Sequence, residues 1–406
     1  MNYQELKKKY GTPLYIYNID IMKAIIEQYQ NHFHSSAFDT EIIYASKALN
    51  IKAMLRLIMR YNLSLDVVSL GELYTAKIVG FPMEKVYFHG NNKSEEELLF
   101  AIKENVGTIV VDNLDELRKI NFLAAAQNKK INIYIRLNVG VEAHTHKYIV
   151  TAHVDSKFGV LYGSNEYEQM IELIKESDFI HLQGFHSHIG SQIFDLTPYD
   201  VAIQKLVYIT KDFPSPLGIN LGGGFGVTYT AQDKPISCDV VASHLIQMME
   251  EELKKQNAKI SKLSIEPGRS IVAEAGQTLY TIGGIKQTPN KLYYFIDGGM
   301  TDNIRPALYQ ALYTADIVGK ENHFKNKVVT VAGKCCESGD IIIENIFLPQ
   351  ANLGDLLLTY STGAYGYSMS SNYNKALTPA VVFVENGKDE LVVKRQTLEE
   401  LVLREI

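Results

Sequence analysis

Cysteine is scarce in this chain: three in 406 residues, namely Cys238 and the adjacent pair Cys335 and Cys336. Neighbouring cysteines rarely bridge, so a disulfide scaffold is excluded and free thiols in a reducing compartment are expected. No run approaches the ~18 apolar residues that a membrane-spanning helix needs. The opening stretch MNYQELKKKYGTPLYIYN lacks the apolar core of a secretory signal, so a cytoplasmic protein is expected. Without export, the acceptor-like Asn62-Leu63-Ser64 and Asn92-Lys93-Ser94 carry no meaning. Excess positive charge is missing too. Forty basic against 46 acidic residues, net −6, leave no electrostatic footprint for nucleic acid. Repeats and low-complexity segments are absent. What remains is a chain that is 46% hydrophobic and 21% charged, the balance of a protein with a large core. Its length predicts two domains.

After an amphipathic helix at Ile19 to His32, short apolar runs alternate with helical patterns. Glu41 to Ser46 reads as a strand, and Asn50 as the cap of a helix carrying Ile51, Met54, Leu55 and Ile58 on one face. Leu63 to Val68 and Lys85 to His89 follow, and Ser94 with Glu97 has capping-box spacing. Thr108 to Asp112, Asn132 to Leu137, Phe179 to His186, Leu217 to Leu221 and Lys262 to Ile265 complete eight strands. Helices at Leu114 to Ala126, Thr197 to Asp212 and Asp239 to Lys255 lie between them. Eight strand–helix units in about 250 residues predict a (β/α)8 TIM barrel over 19–274, with a doubly wound open sheet as the alternative. From about Ala275 the pattern becomes all-β, with Leu292 to Ile296, Val328 to Ala332, Leu356 to Thr359 and Val381 to Glu385 as strands. Asn386-Gly387 turns a hairpin into Leu391 to Lys394. A mostly β second domain is expected over 275–406 together with 1–18, whose strand Pro13 to Tyr17 can join it.

Catalytic groups of a barrel belong at the C-terminal ends of its strands. There the sequence places Lys47, Asp66, His89, the stretch from His186 through His188 to Ser191, Gly222-Gly223-Gly224, and Glu266-Pro267-Gly268-Arg269. Taken singly, each has a plain structural explanation. A triple glycine is usually a tight turn, and a lone lysine a solvated side chain. His186 and His188, like His144 and His146, have a spacing that could ligate a metal in a barrel hydrolase. No cysteine or carboxylate spacing completes such a site, so structural histidines and no bound metal are expected. Cys336 alone would read as a small buried hydrophobe. Together, a lysine, a glycine-rich phosphate cradle, an imidazole and a carboxylate around one mouth suit pyridoxal phosphate.

The motifs Tyr44-Ala45-Ser46-Lys47-Ala48, Asp66 to Glu72, His188-Ile189-Gly190-Ser191-Gln192, Gly222-Gly223-Gly224, Glu266-Pro267-Gly268-Arg269, Asp302 to Tyr309, Cys336 to Asp340 and Gly363-Ala364-Tyr365-Gly366 follow one another along the chain. With them the chain resembles the fold-type III pyridoxal-phosphate decarboxylases from about Gly11 onward. The resemblance implies that Lys47 forms the Schiff base, with Asp66 near it, and that His188 stacks on the cofactor ring. Glu266 partners the pyridine nitrogen. Ser191, Gly222, Gly223, Gly224, Gly268, the Arg269 backbone and Tyr365 hold the phosphate. It implies that Arg269, Arg305, Tyr309, Glu337 and Tyr365 bind substrate and that Cys336 donates a proton. Cys336 and Glu337 come from the second subunit of a homodimer with shared sites. The implied reaction is decarboxylation of meso-2,6-diaminopimelate to L-lysine, the last step of lysine biosynthesis. Carboxynorspermidine, D-ornithine or D-lysine are the alternative substrates. A non-catalytic relative would have lost the lysine or the cysteine, and both are present. Lys334 departs from the family pattern, which has proline before the cysteine.

Overall fold

The structure, a computed structural model, describes residues 1–141, 156–211 and 213–406. His144, His146 and Asp212 lie outside the described residues. The chain divides into two compact units, 25–226 with 235–268, and 1–24 with 227–234 and 269–406.

A short helix, Tyr3–Tyr10, and strand β1 (Leu14–Asn18) belong to the second unit. The first unit is then built from β2 (Asp39–Ala45), β3 (Ser64–Val67), β4 (Val86–Phe88), β5 (Thr108–Val111), β6 (Ile131–Asn138), the two-residue β7 (Val160–Leu161), β8 (Ile180–His186), β9 (Gly218–Asn220) and β10 (Lys262–Ile265). Strands β2 to β6 pair in sequence, β6 pairs β8, β8 pairs β9, β9 pairs β10, and β10 returns to β2, all parallel. The β5–β6 pairing leaves no edge in this ring, so the sheet is a closed barrel and not the open alternative. β7 adds to β6 outside the ring. The helices start where short polar side chains hold the free N–H groups of the first turn. Ser69, Ser94, Asn113 and Ser164 each accept from the residue three positions on, and Ser94 with Glu97 forms the expected capping box. Asn50 does not cap its helix. The cap position falls on Ile51, without a side-chain bond, and the Leu49 N–H closes the preceding turn Ser46–Ala48 that carries Lys47.

Inside the barrel, Ile43, Tyr87, Val110 and Tyr134 pack as one buried cluster. At the N-terminal end Glu41 accepts from Tyr87 Oη at 2.6 Å and from Lys262 Nζ at 2.7 Å. Burial opposes the charge of Glu41, but Lys262 and these bonds hold its carboxyl below the usual range. That end is thus closed by a satisfied polar plug, which leaves the opposite end for chemistry.

The second unit carries β11 (Gly276–Gln287), β12 (Leu292–Ile296), β13 (Ala315–Ile317), β14 (Lys327–Ala332), β15 (Ile341–Leu348), β16 (Leu356–Thr359), β17 (Ala380–Glu385) and β18 (Lys388–Val393). The sheet order is β15-β14-β12-β11-β1-β17-β18, with β16 joining β11 to β13. The early strand does join this sheet, antiparallel to β11 and parallel to β17. Leu14 and Ile16 of β1 share a core with Leu279, Leu356, Leu358, Val382 and Val384, the alternate residues of four strands. Asn386 and Gly387, at φ 50° and 74°, make the hairpin turn that their sequence predicts.

Candidate active site

The barrel's C-terminal end gathers an unusual number of buried polar groups. Glu266, just past β10, is 4% exposed. Asn220 Nδ2 donates to its Oε1 at 2.8 Å, His186 Nε2 meets its Oε2 at 3.1 Å, and His89 Nε2 lies 3.0 Å from Oε1. Burial penalises this carboxylate, yet the surrounding imidazoles hold it well below the ordinary range, so it is ionised. His186 is pushed the other way, down to about 4, chiefly by burial, so it is a neutral imidazole donating through Nε2. His188 is also neutral, held well below its usual value by burial and then by Lys47 and Arg136. Its Nδ1 accepts the Gly223 N–H at 3.2 Å, which leaves the ring proton on Nε2. Lys47 is exposed in its turn after β2, and its charge is felt by Asp66, Glu72 and His188. Asp66 is raised by burial despite His89 and Lys47. Glu72, whose Oε2 takes the Val68 N–H at 2.7 Å, is raised by burial to about 7.

The loops around these groups come in without side chains. A Cβ at Gly223 would lie 2.1 Å from the Glu266 carbonyl oxygen, and one at Gly224, where φ is 106°, 2.4 Å from that of Gly190. Gly268 packs against Ala45 in the same way, at 2.8 Å from its carbonyl oxygen. Bare backbone, a lysine, a flat neutral imidazole and an ionised carboxylate fit a planar phosphorylated cofactor with a cationic ring. Among the described residues, the set with metal-ligand spacing is His89, His186 and Glu266. The His186–His188 pairing considered from sequence is not that set, because Nδ1 of His188 turns to the glycine loop while His186 faces Glu266.

The second unit holds a cluster of its own. Arg269 and Arg305, both buried, place Nη1 at 2.6 and 3.0 Å from the Tyr229 hydroxyl oxygen. Arg305 Nη1 also donates to Tyr313 Oη at 2.7 Å. Their guanidinium carbons lie 5.0 and 5.7 Å from the centre of the Tyr365 ring. Tyr365 sits at φ 63°, a conformation a bulky side chain adopts only when its surroundings impose it. Arg305 is thus bonded to Tyr229 and Tyr313, whereas Tyr309 ends the turn Arg305–Tyr309 and is half-buried. After β14, Cys336 is exposed and Glu337 accepts from the Tyr373 hydroxyl. Asp340 ties this loop down, taking the Cys335 N–H at 2.8 Å and the Met300 N–H at 2.6 Å. Lys334, where the family pattern has proline, donates its N–H to Gly298 O at 3.1 Å, a bond proline could not make.

Sequence reasoning missed Asn220, Arg136, Tyr229 and Tyr313; it gave His89 only its place at a strand end and read His186 as a structural histidine or a metal ligand, not as a partner of Glu266. Asn220, His186, His89 and Arg136 carried a usable pointer, since all lie at or near the C-terminal ends of barrel strands, whereas Tyr229 and Tyr313 carried none.

A barrel mouth with these groups and a β unit with an arginine pair define a pyridoxal-dependent decarboxylase. Residues 22–273 match the family model described as pyridoxal-dependent decarboxylase, pyridoxal binding domain, and the chain belongs to that family and is a carboxy-lyase. More particularly, it is similar to diaminopimelate decarboxylases. It is 46% identical to that of Bacillus methanolicus, over 97% of this chain and 92% of the relative. It is likewise 46% identical to that of Bacillus subtilis, over 98% and 92%. Among solved structures, the diaminopimelate decarboxylase of M. jannaschii superposes with a TM-score of 0.91 at 33% identity, covering 99% of this chain and 94% of that one. That of Helicobacter pylori complexed with L-lysine also gives 0.91, at 32% identity and covering 99% and 98%. No helix among the described residues is long and apolar enough to cross a membrane.

Proposed function

We propose that this decarboxylase acts on meso-2,6-diaminopimelate in the cytoplasm, releasing CO2 and L-lysine as the last step of lysine biosynthesis. One observation carries the choice of substrate. Arg269 and Arg305 are bonded to a single phenol oxygen inside a box of tyrosine rings. Diaminopimelate has a carboxylate at its far end to meet them. D-Ornithine, D-lysine and carboxynorspermidine have none to offer the buried Arg305 guanidinium.

Pyridoxal phosphate, when bound, supplies the sink for the electron pair left behind by departing CO2. Lys47 would hold its aldehyde carbon and give way to the substrate amine, with the Asp66 charge steadying the lysine. Glu266, kept ionised by Asn220 and the imidazoles, would hold a proton on the ring nitrogen, and His188 would offer its flat neutral face. Ser191, Gly222, Gly223, Gly224, Gly268, the Arg269 backbone and the Tyr365 hydroxyl would hold the phosphate. Cys336 would deliver a proton to the carbon that lost CO2. Glu337 would take the distal ammonium, and Arg269, Arg305, Tyr309 and Tyr365 the distal carboxylate. In this reading Cys336 and Glu337 belong to the partner subunit's site, so the working enzyme is a homodimer with two shared sites.

The purified enzyme should be yellow, lose that absorption on borohydride reduction with the label on Lys47, and form lysine from meso-diaminopimelate. Equal or faster turnover of D-ornithine or D-lysine would overturn the substrate. A colourless protein with a divalent ion on His89, His186 and Glu266 would overturn the class.

A further inference from the structure

We propose that Tyr229 is the positioning residue that sets specificity for an anionic distal group, by tying Arg269 and Arg305 into one doubly charged donor site. The inference rests on the reading of those arginines as partners of the distal carboxylate.

Tyr229 is 7% exposed and lies in the stretch 227–234, which packs with the second unit. Its backbone is fixed on both sides. The N–H groups of Tyr229 and Thr230 donate to Asp233 Oδ2 at 2.9 and 2.7 Å, and Ser361 Oγ donates to Thr228 O at 2.8 Å. The ring therefore reaches the arginines from a rigid base. Two guanidinium groups bonded to one oxygen repel each other, and burial strengthens that repulsion. What the two share is the pair of lone pairs on Tyr229 Oη, at 2.6 Å from Arg269 and 3.0 Å from Arg305, while Tyr313 holds Arg305 from its other side. The π faces of Tyr229 and Tyr365 add a weaker attraction.

A phenol oxygen that accepts twice must aim its own proton away from both donors. The three groups thus converge as donors only. Arg305 donates to two tyrosine hydroxyls, and although burial opposes its charge, Tyr229 and Tyr313 hold its guanidinium in the charged form. Such an arrangement suits a carboxylate and rejects an ammonium or a methyl group. Remove the hydroxyl and the rings remain, but the arginines lose their tie and separate. Anion recognition should fail while the remainder of the enzyme persists.

The test uses holoenzyme of wild type and Tyr229→Phe, assayed with meso-diaminopimelate and challenged with two competitors. L-Lysine carries the distal carboxylate and cadaverine lacks it. The variant should show KM for diaminopimelate and the inhibition constant of L-lysine raised together, by about 10- to 100-fold. Inhibition by cadaverine and the cofactor absorption spectrum should be unchanged, with kcat within about threefold. Unchanged L-lysine inhibition, an equal loss for cadaverine, or a fall in kcat alone overturns the proposal. If Tyr229→Phe does not fold, Tyr229→His, which keeps one acceptor nitrogen, is read by the same split, and a uniform loss for both competitors again overturns it. Wild-type enzyme that ignores diaminopimelate would instead overturn the substrate reading beneath it.

Discussion

A carboxylate buried in a barrel stays ionised only if donors reach it, and Glu266 has Asn220, His186 and His89 around it. The arrangement has a pH signature. His186 is held down from 6.5 to about 4 by burial, against the pull of Glu266, with His89 and Arg136 also opposing its protonation. Between pH 6.5 and 4 the unfolded chain takes up a proton here that the native protein refuses. Stability is therefore lost as pH falls through that window, by roughly 3 kcal/mol in total at ~1.4 kcal/mol per unit. His186→Gln keeps an N–H donor for Glu266 but does not titrate, so melting temperatures measured from pH 7 to 4 should fall less steeply than in wild type. Parallel slopes would remove His186 from the account. Arg305 gives a second prediction at this scale. Truncating one member of a desolvated charge pair costs ~2–5 kcal/mol, so Arg305→Met should lower kcat/KM for diaminopimelate roughly 30- to several-thousand-fold. The cofactor spectrum should not change. A variant with near-normal kcat/KM would show that the distal carboxylate is bound elsewhere.

Among the elements, the loops after β8, β9 and β10 matter more than the strands. Gly223 is close-packed and not strained: the obstacle to a side chain is the Glu266 carbonyl oxygen, a backbone atom that cannot swing away. Gly223→Ala should therefore push two barrel loops apart at a cost of about 1–3 kcal/mol. It should also break the Gly223 N–H bond to His188, so cofactor retention during dialysis should drop along with the melting temperature. Normal retention at a normal melting temperature would mean that the loop relaxes freely. The barrel strands were legible because each is a short apolar run before an amphipathic helix, a pattern written locally. Two long strands of the β unit were not. In β11 the apolar alternation is interrupted by Gly283-Gly284 at a bulge, and in β15 by Glu344-Asn345, with Asn345 at φ 58°. Local periodicity fails where a strand bends, and these strands are recovered only through their pairing partners.

For the whole molecule, the shared-site reading makes a quantitative demand. Inactive Lys47→Ala and inactive Cys336→Ala chains, mixed and reassembled, should form hybrids with one intact and one doubly damaged site. About half of the dimers are hybrid after random exchange, so roughly a quarter of wild-type activity should return. No recovery despite verified subunit exchange would mean that each site is complete within one chain.

By itself the sequence determined the barrel, the family, the lysine on its turn after β2, the glycine cradle and the carboxylate after β10, because each is specified by residues close together in the chain. Only the tertiary structure decided what surrounds them. That Asn220 and His186 hold Glu266, 46 and 80 residues away, depends on neighbouring strands of a closed ring. That Tyr229 lies between Arg269 and Arg305, 40 and 76 residues apart from it, depends on the stretch 227–234 leaving the barrel unit to pack with the β unit. Hydrogen bonds over such separations leave no periodicity or spacing in the chain, since the residues that make them are brought together only when the core closes.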